Sequence, residues 1–91
     1  MAQKSSNKKH IEKSQLLRDL RKDCGLTQEQ LAVRLSVTRD VISHIENCHE
    51  QQMNAMAADF ELAWWRACKS AAKPETRARF RAFIDKIFGF Q

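Results

Sequence analysis

The sequence predicts an all-α fold, and three observations lead there. Two glycines and one proline interrupt 91 residues, and tyrosine is absent, which leaves little material for the tight turns of a sheet protein. Apolar residues recur at three- and four-residue spacing along most of the chain, as helices with one buried face require. Residues suited to start a helix, Ser14, Thr27, Thr38 and Pro74, stand before four of these stretches. With 43% hydrophobic residues the chain holds one small core, and the expectation is a compact domain of five helices.

Residues 1–13 are polar and basic and are expected to form a flexible arm, leaving 14–91 as a single helical domain. Ser14 is placed to cap a first helix carrying Leu16, Leu17 and Leu20 and ending near Gly25. Thr27 opens a second helix, with Gln30 at the spacing of a capping box and Leu31, Ala32 and Leu35 on one stripe.

The course of the chain beyond Leu35 decides the architecture. A continuous helix would put Leu31, Leu35, Ile42 and Ile45 on one face and Val33, Val37 and Val41 on another. A break at Ser36 and Val37 removes the conflict and is expected to turn all three valines and the isoleucines inward. Thr38 then caps a short third helix whose outward face, Arg39, Asp40, Ser43, His44 and Asn47, is wholly polar.

From Met53 to about residue 72 the pattern predicts one long fourth helix, apolar on two faces. Met53, Met56, Phe60 and Trp64 lie on one of them and Ala55, Ala58, Leu62 and Trp65 on the other. Pro74 suits the first turn of a fifth, phenylalanine-rich helix, lined by Phe80, Phe83, Ile84, Ile87 and Phe88. That stripe is too apolar to stay exposed. Region 53–90 is therefore the expected dimerisation region, through Leu62, Trp65, Phe80, Phe83, Ile84, Ile87 and Phe88, unless the two surfaces pack on each other within one chain.

The net charge of +5 comes from the two ends, +3 in residues 1–13 and +3 in 73–91 against −1 between them. Such a balance suits a polyanionic partner or a solvated tail and helix face. Three widely spaced cysteines fit reduced thiols and a cytoplasmic protein. No signal segment or membrane span is visible, and membrane attachment is not expected. His44, Cys48 and His49 lie close together but lack a fourth ligand at a usual spacing, so no metal and no cofactor is expected. Neither a nucleophile with its base nor a glycine-rich phosphate loop is present, which argues against an enzyme.

The stretch "RKDCGLTQEQLAVRLSVTRDVISHIEN" resembles the helix-turn-helix of the phage Cro and repressor (Xre-like) family, on "LTQEQLA", the apolar pair after it and "IEN". The resemblance implies a lambda-repressor-like domain whose helix-turn-helix spans 27–47 and whose partner is double-stranded DNA. It implies a sequence-specific transcription regulator, a repressor that binds a palindromic operator as a homodimer, with helix 38–47 in the major groove. Arg39, Asp40, Ser43 and His44 would contact bases, with Gln28, Thr38 and Asn47 on phosphates. Lys8 and Lys9 of the arm would also track the phosphate backbone. By the same resemblance Arg21 and Glu46 form a structural ion pair. Two positions depart from the family: Ser36 and Cys48 stand where glycine is usual. A second function fits the resemblance too, that of an antitoxin binding a toxin through its extra apolar surface and autoregulating its operon.

Overall fold

The computed structural model describes residues 3–88, the last two by backbone alone. The described residues form six α-helices and one short 3-10 helix: α1 Lys8–Asp23, α2 Gln28–Leu35, α3 Arg39–Glu46, α4 Glu50–Ala55, α5 Ala58–Cys68, the 3-10 helix Lys69–Ala71, and α6 Pro74–Phe88. A radius of gyration of 12.4 Å fits one compact unit of this length, for which about 12 Å is expected.

The first helix starts earlier than its apolar pattern suggests. Asn7 caps it by accepting the Lys9 N–H at 2.9 Å, so 8–13, assigned to an arm by composition, are its opening turns. Ser14 is mid-helix and buried, its hydroxyl donating to the Ile11 carbonyl at 2.9 Å. Ahead of the helix, Gln3 accepts the Glu50 N–H and Cys48 accepts the Ser5 N–H, both at 2.8 Å, and Lys4 pairs with His49.

The next three boundaries share one device. At the end of α1, Gly25 at φ 73° lets the Leu26 N–H bond the Arg21 carbonyl at 3.3 Å while its own N–H bonds Lys22 at 3.0 Å. Ser36 at φ 59° does the same after α2, with Val37 bonding Ala32 at 3.0 Å. Cys48 at φ 58° repeats it after α3, with His49 bonding His44 at 2.9 Å. These are Schellman turns, which satisfy the last carbonyls of a helix and reverse the chain in two residues. Only one has glycine, and the other two carry the strain of a side chain in the left-handed region.

The core is built from Leu16, Leu17 and Leu20 of α1, Leu31 and Ala32 of α2, Ile42 and Ile45 of α3, Met53, Trp64 and the two α6 phenylalanines Phe80 and Phe83. Trp64 is fully buried and its indole N–H donates to the Leu17 carbonyl at 3.0 Å, which pins α5 across α1. The valines divide. Val37 and Val41 are half-buried, but Val33 stays 74% exposed. It lies about 200° around α2 from the buried Leu31, so a helix this short cannot bury both.

The expected long fourth helix is two helices. Met56 and Ala57 are extended, at ψ 119° and 153°, between α4 and α5. No proline or glycine marks this break. It lets α4 pack on α3 while α5 packs on α1 and α2, which accounts for six α-helices rather than five. The final helix begins at Pro74 as expected and lies along α1. Phe80 and Phe83, expected at a dimer contact, are 3% and 2% exposed within the single chain. Phe80 stacks on Trp65 with ring centroids 4.5 Å apart, and the Lys13 ammonium, paired with Glu61, sits 5.9 Å over the Phe83 ring.

Candidate nucleic-acid interface

Two eight-residue helices joined by a three-residue turn make the centre of the site. Thr27 and Gln30 form the full capping box at the start of α2: the Thr27 hydroxyl accepts the Gln30 N–H at 3.1 Å, and the Gln30 side chain accepts the Thr27 N–H at 2.9 Å. At its far end Ser36 reverses the chain, and Thr38, extended at ψ 158°, stands at the N-cap of α3 without a side-chain capping bond. Ile42 and Ile45 anchor the inner face of α3, leaving Arg39 and Asp40 exposed and Ser43 and His44 half-buried on the other side. Asp40 lies in the first turn of α3, where a carboxylate favours the helix N-terminus electrostatically.

An ion pair holds this unit to α1. Arg21 donates from Nε to Glu46 Oε2 at 2.6 Å and from Nη2 to Oε1 at 2.9 Å, a bidentate clamp between side chains only 13% and 3% exposed. The third donor, Nη1, reaches the Leu26 carbonyl at 2.7 Å, and Gln28 Nε2 adds a bond to Glu46 Oε1 at 3.1 Å. The hydrogen-bonded Glu46 carboxylate raises the Arg21 guanidinium further above its ordinary value, so it stays charged at any working pH. Arg21 and Glu46 thus fix the tilt of α3 against α1, and Gln28 is oriented by the same carboxylate.

A shallow polar cleft opens over this clamp, lined by Arg18, Arg21, Lys22, Gln28, Glu46 and Asn47. It joins the start of α2 to the end of α3. Arg18 precedes the stretch that carries the resemblance and Lys22 stands at its start, neither with an expected role, although their four-residue spacing on one side of α1 is legible in the sequence. Their place beside Gln28 and Asn47 depends on how α1 crosses the other two helices. Asn47 is engaged within α3, donating from Nδ2 to the Ser43 carbonyl at 2.9 Å and to its hydroxyl at 3.3 Å. Lys8 and Lys9 are exposed at the opposite end of α1 from Lys22, about 20 Å along the helix.

The residues expected at a dimer contact are partly used within the chain, where Phe80 stacks on Trp65. Phe80 and Phe83 are internal, while Leu62, Trp65 and Ile84 are half-buried beside them; the side chains of Ile87 and Phe88 lie outside the described residues. Burial and the neighbouring Cys24 thiol push Cys68 up to about 12, so that thiol stays protonated. Among the described residues, no group of three or more His, Cys, Asp or Glu side chains could hold a metal ion, and no helix is long and apolar enough to cross a membrane.

A tight-turned helix pair of this kind, with one polar face outside the core, has the form of a helix-turn-helix. Comparison with known families agrees: residues 14–52 match the model described as a helix-turn-helix domain, a class that points to DNA as partner and to a regulator as the role. No curated protein and no solved structure matches the chain significantly.

Proposed function

We propose that the chain is a sequence-specific transcription regulator of the Cro and repressor kind. It works in the cytoplasm, as a homodimer that represses by occupying a palindromic operator. The observation that carries this reading is the outward face of α3, where Arg39, Asp40, Ser43 and His44 stand clear of a core fixed by Ile42 and Ile45. In this reading α3 enters the major groove and Arg39 meets guanine O6 and N7. The cleft of Arg18, Lys22, Gln28 and Asn47, together with Thr38, faces the phosphates alongside. Lys8 and Lys9 add charge at the far end of α1. The dimer contact falls to what remains outside on α5 and α6, Leu62, Trp65 and Ile84.

One such module reads only a few base pairs, so specificity comes from two half-sites about one helical turn, ~34 Å, apart. Selection of bound sequences from random DNA tests the reading directly. A palindromic consensus is expected, and Arg39→Ala should weaken binding to it by about 1–3 kcal/mol while relaxing one position. No enrichment over the starting pool would refute the proposal.

A further inference from the structure

We propose that His49 is a positioning residue for base recognition: its ring, folded back over the reading helix, holds His44 in the orientation that meets a base edge. The inference rests on the DNA-reading role of α3 and adds to it a residue outside that helix.

The backbone places the two rings together. Cys48 at φ 58° completes the turn after α3, and His49 comes directly after it, bonded through its N–H to the His44 carbonyl at 2.9 Å. In a Schellman turn the side chain at this place packs back on the last turn of the helix. After α1 and α2 the equivalent places hold Leu26 and Val37, ordinary apolar residues. After α3 the contact is between two imidazoles, with ring centroids 4.7 Å apart and planes inclined by 33°.

His49 is itself held from the far side. The Lys4 backbone pairs with it, and flanking bonds of 2.8 Å run from Glu50 N–H to the Gln3 carbonyl and from Ser5 N–H to the Cys48 carbonyl. Its Nδ1 is buried without a hydrogen-bond partner, so that nitrogen contributes no bond and ring packing is what His49 offers His44. This tilted ring packing removes rotamers that His44 would otherwise lose only on meeting DNA, and a side chain ordered in advance binds with less entropic cost.

The test uses the full chain on the sequence selected from random DNA. His44→Ala should abolish preference at one base position, which identifies the position that His44 reads. His49→Leu keeps the apolar packing that Leu26 supplies in the first turn but removes the flat ring. It should reduce preference at that same position by about 2- to 10-fold, the worth of one ordered side chain, and leave binding to random DNA unchanged. His49→Phe restores a ring face without the buried nitrogen, and should restore the preference. Retained preference in His49→Leu overturns the inference, as does equal loss on selected and random DNA, or failure of His49→Phe to rescue. Loss of no base preference in His44→Ala overturns it while leaving the rest of the DNA-reading proposal standing. Absence of any selected sequence sinks both.

Discussion

Replacing Glu46 by alanine strips three charge-assisted hydrogen bonds from one buried point: two from Arg21, at 2.6 and 2.9 Å, and one from Gln28 at 3.1 Å. Arg21 stays buried enough, at 13% side-chain exposure, that water cannot fully replace the lost carboxylate. Its remaining bond, to the Leu26 carbonyl, does not neutralise it. Leaving one member of a buried pair alone costs about 3–5 kcal/mol. A domain of this size has a total stability of about 5–14 kcal/mol, so the substitution should remove a large share of it, on the order of a third. Urea unfolding monitored by tryptophan fluorescence measures the loss. A double-mutant cycle with Arg21→Met isolates the pair, and its coupling should exceed the ~0.2–1 kcal/mol typical of exposed pairs. The pair of Arg79 and Asp19, at 49% and 42% side-chain exposure, is the internal control and should fall within that range. Because Glu46 ends α3, its loss should weaken DNA binding beyond what the unfolded fraction explains. A Glu46→Ala cost below about 1 kcal/mol, or a coupling no larger than the control, would show that the clamp does not hold α3 to α1.

Three further outcomes are expected. Ser36→Gly relieves a left-handed residue whose strain is about 1–2 kcal/mol, less the extra chain entropy glycine loses, for a net gain of about 0.5–1 kcal/mol; unfolding by heat should shift upward by a few degrees, and a decrease would contradict the φ of 59° at this turn. Phe80→Ala should cost about 3–5 kcal/mol by emptying the space against Trp65, and a near-neutral result in denaturant titration would mean that α6 is not part of the core. Asp23 accepts the Lys73 N–H at 3.0 Å, and this bond, with the Thr76 side chain nearby, holds its carboxyl below the ordinary 3.8. A lowered folded-state pKa stabilises above the unfolded value and loses that contribution as pH falls through the folded one. The stability gap between the wild type and Asp23→Asn should thus be small, present at about pH 6, and closing below about pH 4; a gap constant down to about pH 2.5 would rule out the linkage.

Much of this organisation is legible locally. Thr27 and Gln30 announce the start of α2, Gly25 the end of α1, and Pro74 the start of α6, because caps and turns depend on a few adjacent residues. The turn at Ser36 is set by apolar phase even without its glycine. The polar row Arg39, Asp40, Ser43 and His44 is a consequence of that turn. Local signals failed where another element supplied the missing partner. Asn7 marks the start of α1 locally, but Lys13 finds its partners, Glu61 and Phe83, on two distant helices that nothing near it in the chain names. The break at Met56 has no local marker because what it serves is distant: α4 packs on α3, and α5 on α1 and α2.

By itself, then, the sequence determined the helical class, the helix pair over 27–47 and the polar face it turns outward. Each of these rests on periodicity and capping within one or two turns of chain. Tertiary structure decided which apolar surfaces meet. Phe80 and Phe83 close on Trp65 and Lys13 rather than waiting for a second subunit, and Val33 is left outside because it faces away from the side of α2 that α3 and α5 cover. It also decided that His49 returns to His44, and that Arg18 and Lys22 join Gln28 and Asn47 in one cleft. The physical reason is common to all of them: burial and charge pairing act through space, and a stripe of side chains does not specify which other stripe it will meet.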